Sequence, residues 1–193
     1  MSVNNKNQNL TNLASPKIGT KIIEVSDDFF GDASRMLDDK EPVFIEDKYD
    51  EHGKWMDGWE SKRRRDGGND WAIIELGSPG IISEVNIDTS FFTGNFPPFA
   101  SIEGLYSDQK PNKDSDWIEI ISKTSLKGDS SNKFKIQSKT KVNYIKLQIF
   151  PDGGVARLRL FGEVKFDWDI YNNKKDLIEL SSLKLGGSII AYN

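Results

Sequence analysis

The chain has 193 residues, 36% of them hydrophobic and 29% charged, with a formal net charge of −4 and no cysteine. That length supports one domain of ordinary size with a real core. The composition excludes thiolate nucleophiles and cysteine-based zinc sites, and the acidic balance gives no reason to expect nucleic acid or an anionic membrane as partner.

Residues 1–10 are rich in asparagine and lysine and read as a disordered tail. They lack the apolar core of a secretory signal, and no run approaches the ~18 apolar residues a membrane helix requires, so a cytoplasmic location is the expectation. Residues 21–25 read as a strand ended by a turn at Ser26-Asp27-Asp28, and 33–37 as a single helical turn. Asp27 and Asp28 have the chemistry of divalent-metal ligands, but two adjacent aspartates after a strand more often form a cap or turn.

Residues 53–95 are the chemically densest part of the chain. Trp55, Met56, Trp59 and Trp71 bring large apolar surface among Lys54, Asp57, Glu60, Arg63, Arg64, Arg65, Asp66 and Asp70, and at least two of the three tryptophans are expected in the core. The apolar run 71–76 and the alternating run 82–88 read as two strands joined by a turn at Ser78-Pro-Gly80, which predicts a hairpin with Asp70 and Asp88 at one end. After Pro97-Pro98, short strands are expected at 100–106, 117–121 and 133–137. A clear one follows at 142–150, where Tyr144, Lys146 and Gln148 alternate with Ile145, Leu147 and Ile149. Pro151-Asp-Gly-Gly154 reads as a hairpin turn, and 155–162 alternates Arg157 and Arg159 with Ala156, Leu158 and Leu160. Seven or more short strands with little helical periodicity predict an all-β, antiparallel β-sandwich.

Residues 167–176 turn polar and read as a linker after a unit spanning 11–166. Residues 177–193 then repeat the pattern of 11–26, sharing Leu, Ser, Lys, Gly and an Ile-Ile pair in register, as the truncated start of a second copy of the unit. Leu180, Leu183, Leu185, Ile189 and Ile190 are expected either to dock on the first unit or to stay exposed and promote self-association.

The segments Lys54-Trp-Met-Asp-Gly-Trp-Glu60, Arg63-Arg64-Arg65, Asp70-Trp71, Asp88-Thr-Ser-Phe-Phe-Thr-Gly-Asn95 and Pro151-Asp-Gly-Gly-Val-Ala-Arg157 closely resemble the allantoicase family, and the resemblance runs almost continuously over residues 13–166. It implies a hydrolase converting allantoate to ureidoglycolate and urea in purine (allantoin) catabolism. It also implies two jelly-roll repeats similar to galactose-binding domains, of which this chain holds the first. Two alternatives stand beside it: an inactive allantoicase fragment, and a non-catalytic, galactose-binding-like module for a small ligand.

Allantoate carries one carboxylate and two ureido groups, so its site needs a cation together with hydrogen-bond donors and acceptors. Cleavage of the C–N bond calls for a general acid or base beside the departing urea nitrogen, for which Asp57, Asp70, Asp88, Asp152 and His52 are candidates. Histidine is the side chain type that titrates near neutrality, though in Asp50-Glu-His-Gly53 an exposed position is the simpler reading. Lys54 and Arg63, Arg64, Arg65 and Arg157 are candidates for the carboxylate, and Thr89, Thr93 and Asn95 for the polar ends. For Arg157, pairing with a neighbouring acid is the simpler reading. No cofactor is required by this chemistry, and a divalent metal held by carboxylates stays open.

Overall fold

The computed structural model describes residues 10–166 and 179–187. Most of the expected tail and the whole expected linker lie outside the described residues.

Twelve strands are present among the described residues: β1 (Thr11–Asn12), β2 (Lys21–Val25), β3 (Tyr49–Asp50), β4 (Gly53–Lys54), β5 (Trp59–Glu60), β6 (Asp70–Asp88), β7 (Phe99–Leu105), β8 (Ile118–Ser125), β9 (Ser131–Lys135), β10 (Lys141–Phe150), β11 (Gly154–Val155) and β12 (Arg157–Val164). Every pairing among them is antiparallel. The helical turn expected at 33–37 is a 3-10 turn, Ala33–Leu37, capped by the Asp32 carboxylate, which accepts from Ser34 N. The Ser34 hydroxyl donates to the same carboxylate (2.6 Å), and it and the Ser34 N–H hold the Asp32 pKa below its ordinary value.

The expected hairpin at 71–88 is instead one strand of 19 residues, β6. Drawn straight it would reach roughly 60 Å, far longer than a domain of this size is wide. It bends at Gly77-Ser-Pro-Gly80, and its partners change there: residues 72–75 pair with β2 and 70–81 with β10, whereas 80–88 pair with β12 and 84–88 with β9. One layer is thus β8-β7-β10-β6-β2 and the other β9-β6-β12-β1, with β6 crossing between them. The two ends of β6 do meet at one end of the sandwich, as the hairpin reading required, because both are tied to the same short segment. Asp70 N donates to Pro151 O (3.1 Å) and Ala156 N donates to Asp88 O (2.8 Å).

Residues 151–156 therefore link the two layers and are not the hairpin turn expected from Asp-Gly-Gly. The Phe150–Pro151 peptide bond is cis.

The core lies between the layers. Ile145, Leu147 and Ile149 from β10 meet Leu158 and Leu160 from β12 and Ala72, Ile74, Leu76, Val85 and Ile87 from β6, as the period-two pattern predicts. Of Trp55, Trp59 and Trp71, Trp59 alone joins them, with no exposed surface; Trp55 and Trp71 are half-buried outside the core, one fewer core tryptophan than the sequence reading expects.

Candidate functional site

The loops at the Asp70 and Asp88 end of the sandwich form two neighbouring clefts. The larger has a volume of about 590 Å³ and is lined by Phe30, Phe44, His52, Gly53, Lys54, Met56, Glu60, Phe91, Thr93, Asn95 and Asp129. Its wall is set by β5, which pairs with β11 through Trp59↔Val155 and Glu60↔Gly154. Trp59 points into the core and anchors its indole N–H on Asp27 O (2.8 Å), so alternation turns the next side chain, Glu60, outward. Burial pushes the Glu60 carboxyl pKa up, opposed by the hydrogen bond that Asn95 Nδ2 donates to Oε1 (2.7 Å). Met56, which lines the cleft, is backed by a small apolar cluster that it forms with the fully buried Phe92 and Ala156. Gly154 makes room for it, since a Cβ there would stand 1.9 Å from the Phe92 ring.

Two residues of the rim hold left-handed backbone without being glycine: Phe91 (φ 69°) and Asp129 (φ 46°). They brace each other, Phe91 N donating to Asp129 Oδ1 (2.7 Å) and Asp129 N donating to Phe92 O (3.2 Å). This conformation keeps Phe91 on the rim, stacked at 5.8 Å on Phe44, whose ring carries the Lys54 ammonium at 4.6 Å. Strain held by surrounding contacts is a mark of functional sites. The His52 ring packs 4.1 Å from Phe29.

The smaller cleft, about 480 Å³, is lined by Asp27, Lys62, Arg63, Arg64, Arg65, Asp66 and Asp70. Arg64 is engaged on all sides: its backbone N donates to Asp152 Oδ2 (2.7 Å), and its guanidinium meets Asp70 (2.9 Å) and Asp66 (3.0 Å). Asp70 is buried and also accepts from Ser26 Oγ (2.9 Å). Arg63 and Arg65 are exposed, with no acidic partner among the described residues. Phe29 adjoins both clefts, contacting His52 of the first and taking the Lys62 ammonium at 4.1 Å from the second.

The sequence-derived site residues thus divide three ways. His52, Lys54, Thr93 and Asn95 line the larger cleft, and Arg63, Arg64, Arg65 and Asp70 the smaller. Asp57, Asp88, Thr89 and Arg157 line neither, because their polar atoms are used by the framework. Arg157, 1% exposed, pairs with Asp57 Oδ2 (2.7 Å) and donates to Lys40 O, Asp57 O and Ala156 O. Asp88 accepts from Ser90 N and Oγ, and Thr89 Oγ1 donates to Lys127 O. Glu60, absent from the sequence-derived candidates, and Asp129 are the acids of the larger cleft. The alternation from a buried Trp59 was the signal for Glu60.

Asp27 forms the cap expected of it, accepting from Phe29 N (3.2 Å) and Lys62 N (2.7 Å). Among the described residues no three histidine or carboxylate side chains converge as a metal-binding set, and no helix is long and apolar enough to cross a membrane.

Comparison with known proteins adds an independent line. Residues 11–165 match the family model described as Allantoicase repeat. A probable allantoicase of Acinetobacter baylyi is 46% identical over 184 residues, covering 95% of this chain and 54% of the relative. Among solved structures, one titled "Structure of allantoicase" superposes with a TM-score of 0.76 at 31% identity, over 92% of this chain and 53% of that one. The C-terminal domain of a Bacteroides fragilis chitobiase shares the fold alone, with a TM-score of 0.58 at 16% identity over 80% of this chain and 99% of its own length. The chain spans about half the length of the curated relatives it matches.

Proposed function

The chain belongs to the allantoicase family, and we propose that its larger cleft binds allantoate and hydrolyses it to ureidoglycolate and urea, as part of purine catabolism in the cytoplasm. The observation that carries this reading is Glu60: a carboxyl with raised pKa on the wall of a half-apolar cleft that also presents an ammonium, Lys54. Lys54 takes the substrate carboxylate, and Asn95, Thr93 and Asp129 hydrogen-bond the ureido groups. Phe44 and Phe91 cover the planar ureido faces.

In the reaction the bond between the central carbon and one ureido nitrogen breaks, a bond from water oxygen to that carbon forms, and the departing nitrogen needs a proton. Glu60 in its protonated form donates it, a role that burial favours by keeping the proton on to higher pH. His52, on the same cleft, accepts the proton that water loses.

The test is urea release from allantoate by the purified chain, with Glu60→Gln and Lys54→Met as variants. Release that is lost in Glu60→Gln and weakened in Lys54→Met supports the reading. A folded chain that releases no urea and binds no allantoate in a calorimetric titration overturns it.

A further inference from the structure

The bend of β6 at Gly77-Ser-Pro-Gly80 lies at the end of the sandwich away from both clefts. Seven residues of strand, about 23 Å, separate it from Asp70. Two turns of the same build meet there. In the first, Ser15 (φ −69°, ψ 129°) accepts from Lys17 N at 3.2 Å and Gly19 (φ 99°) closes the turn by donating to Pro16 O at 3.0 Å. In the second, Ser182 (φ −62°, ψ 131°) accepts from Lys184 N at 3.3 Å and Gly186 (φ 88°) donates to Leu183 O at 3.0 Å. These are the serine, lysine and glycine positions that repeat in the sequence, and they fold alike.

The two turns also seat on adjacent residues of the bend. The first packs on Gly77, whose N–H donates to Thr20 Oγ1 (2.9 Å) and whose missing side chain matters: a Cβ there would stand 2.0 Å from Ile18 O. The second packs on Ser78, whose hydroxyl donates to Lys184 O (2.5 Å). They lie close together: a Cβ built on Gly19 would stand 3.9 Å from the Lys184 ammonium, and one built on Gly186 3.6 Å from Val164 on β12.

We infer that this corner is the docking face for a second allantoicase repeat, of which residues 182–186 are the opening turn. The occupant follows from continuity: a turn of the repeated sequence is already seated there, and the matched relatives are about twice as long. Because equivalent turns stand side by side, the rotation relating the two repeats passes close to Gly19 and Lys184. The clefts then face away from the junction, and the larger one is complete within its own repeat's loops. This last step rests on the functional reading of that cleft; the docking face does not.

The absence of native cysteine allows a direct test. Lys17→Cys and Lys184→Cys in one chain carry spin labels whose separation is read by dipolar spectroscopy. A short, narrow separation is expected, broadening with Leu185→Asp, which alters only the docked segment, and with Ser78→Ala, which removes the hydroxyl. A broad separation in the doubly labelled chain, or one indifferent to both substitutions, overturns the docking. So does an equally short separation between two singly labelled chains mixed together, which would assign the turn to a second copy. Urea release by the same two variants is expected within about twofold of the starting chain, as for distant independent sites, and its loss would overturn the separation of cleft from junction. A chain that releases no urea at any stage counts against the proposed reaction alone, because the label separation still decides the docking.

Discussion

Replacing Asp57 by alanine separates a framework role from a catalytic one. The Asp57 carboxylate sits 2.7 Å from the Arg157 guanidinium, with the two side chains 15% and 2% exposed. Removing one partner of a buried pair costs about 3–5 kcal/mol, mostly from the stranded charge. Here Arg157 keeps carbonyl acceptors on Lys40 (2.8 Å), Asp57 (2.9 Å) and Ala156 (2.7 Å), which places the loss at the lower end, about 3 kcal/mol. For a domain of this size that is a fall in Tm of about 6–12 °C. Asp57→Asn preserves an acceptor for Arg157 and for Val43 N (2.9 Å) and should lose about half as much. Guanidinium unfolding followed by fluorescence measures both, and the midpoint should fall without a change in slope. If Asp57→Ala unfolds at the same midpoint while urea release is abolished, the framework assignment is wrong and Asp57 acts on substrate.

Glu60→Gln should remove one limb of the pH dependence. Burial raises the Glu60 pKa in the folded chain, so its contribution to stability is full below the ordinary value of 4.5 and is lost as pH rises through the folded value. The stability of the parent relative to Glu60→Gln should therefore decline between acid and neutral pH, read by guanidinium titrations across that range; a flat difference refutes the buried carboxyl. Lys54→Met should raise KM for allantoate by about ten- to a hundredfold with kcat nearly unchanged, as loss of a charge-assisted contact predicts, and a selective fall in kcat in steady-state assays would move Lys54 into the chemistry. Gly154→Ala drives a Cβ to 1.9 Å from the Phe92 ring and should cost about 1–3 kcal/mol in unfolding experiments, with weaker allantoate binding because that ring packs behind Met56 of the cleft.

The strands that sequence revealed best are those whose apolar residues keep to one face, even where, as at Tyr144 and Lys146 of β10, the other face is covered as well. In β10 the inner Ile145, Leu147 and Ile149 alternate with Lys146 and Gln148, and β2 occupies residues 21–25 as its composition predicts. β6 was misread because its two halves face different partners and the pairing slips by one residue opposite Phe161 and Gly162, so no single phase runs from Ala72 to Ile87. Ser-Pro-Gly also serves a strand that changes layers, where Pro79 needs no N–H for the ladder and a glycine admits the close approach of another turn. The same ambiguity affected residues 151–154, whose glycines fit a layer crossing as well as a hairpin. Local composition reports that the backbone bends; which element it meets next depends on pairings far along the chain.

Asp57 and Glu60 show the same limit at the site. They are carboxylates three residues apart in one loop, and sequence favoured the first. Their roles are decided by partners that lie about a hundred residues away. Asp57 meets a buried guanidinium that needs its charge, so its proton is of no use to a substrate. Glu60 is held against Gly154 by the β5–β11 pair, with an amide and no cation beside it, so burial acts on the carboxyl unopposed by a positive charge. A carboxyl whose pKa burial raises, in a cleft that also bears an ammonium, is suited to act as an acid toward a leaving nitrogen. The division of labour between two like residues is set by where one arginine is buried, and Asp57→Ala and Glu60→Gln should accordingly fail in opposite ways, the first in stability and the second in turnover.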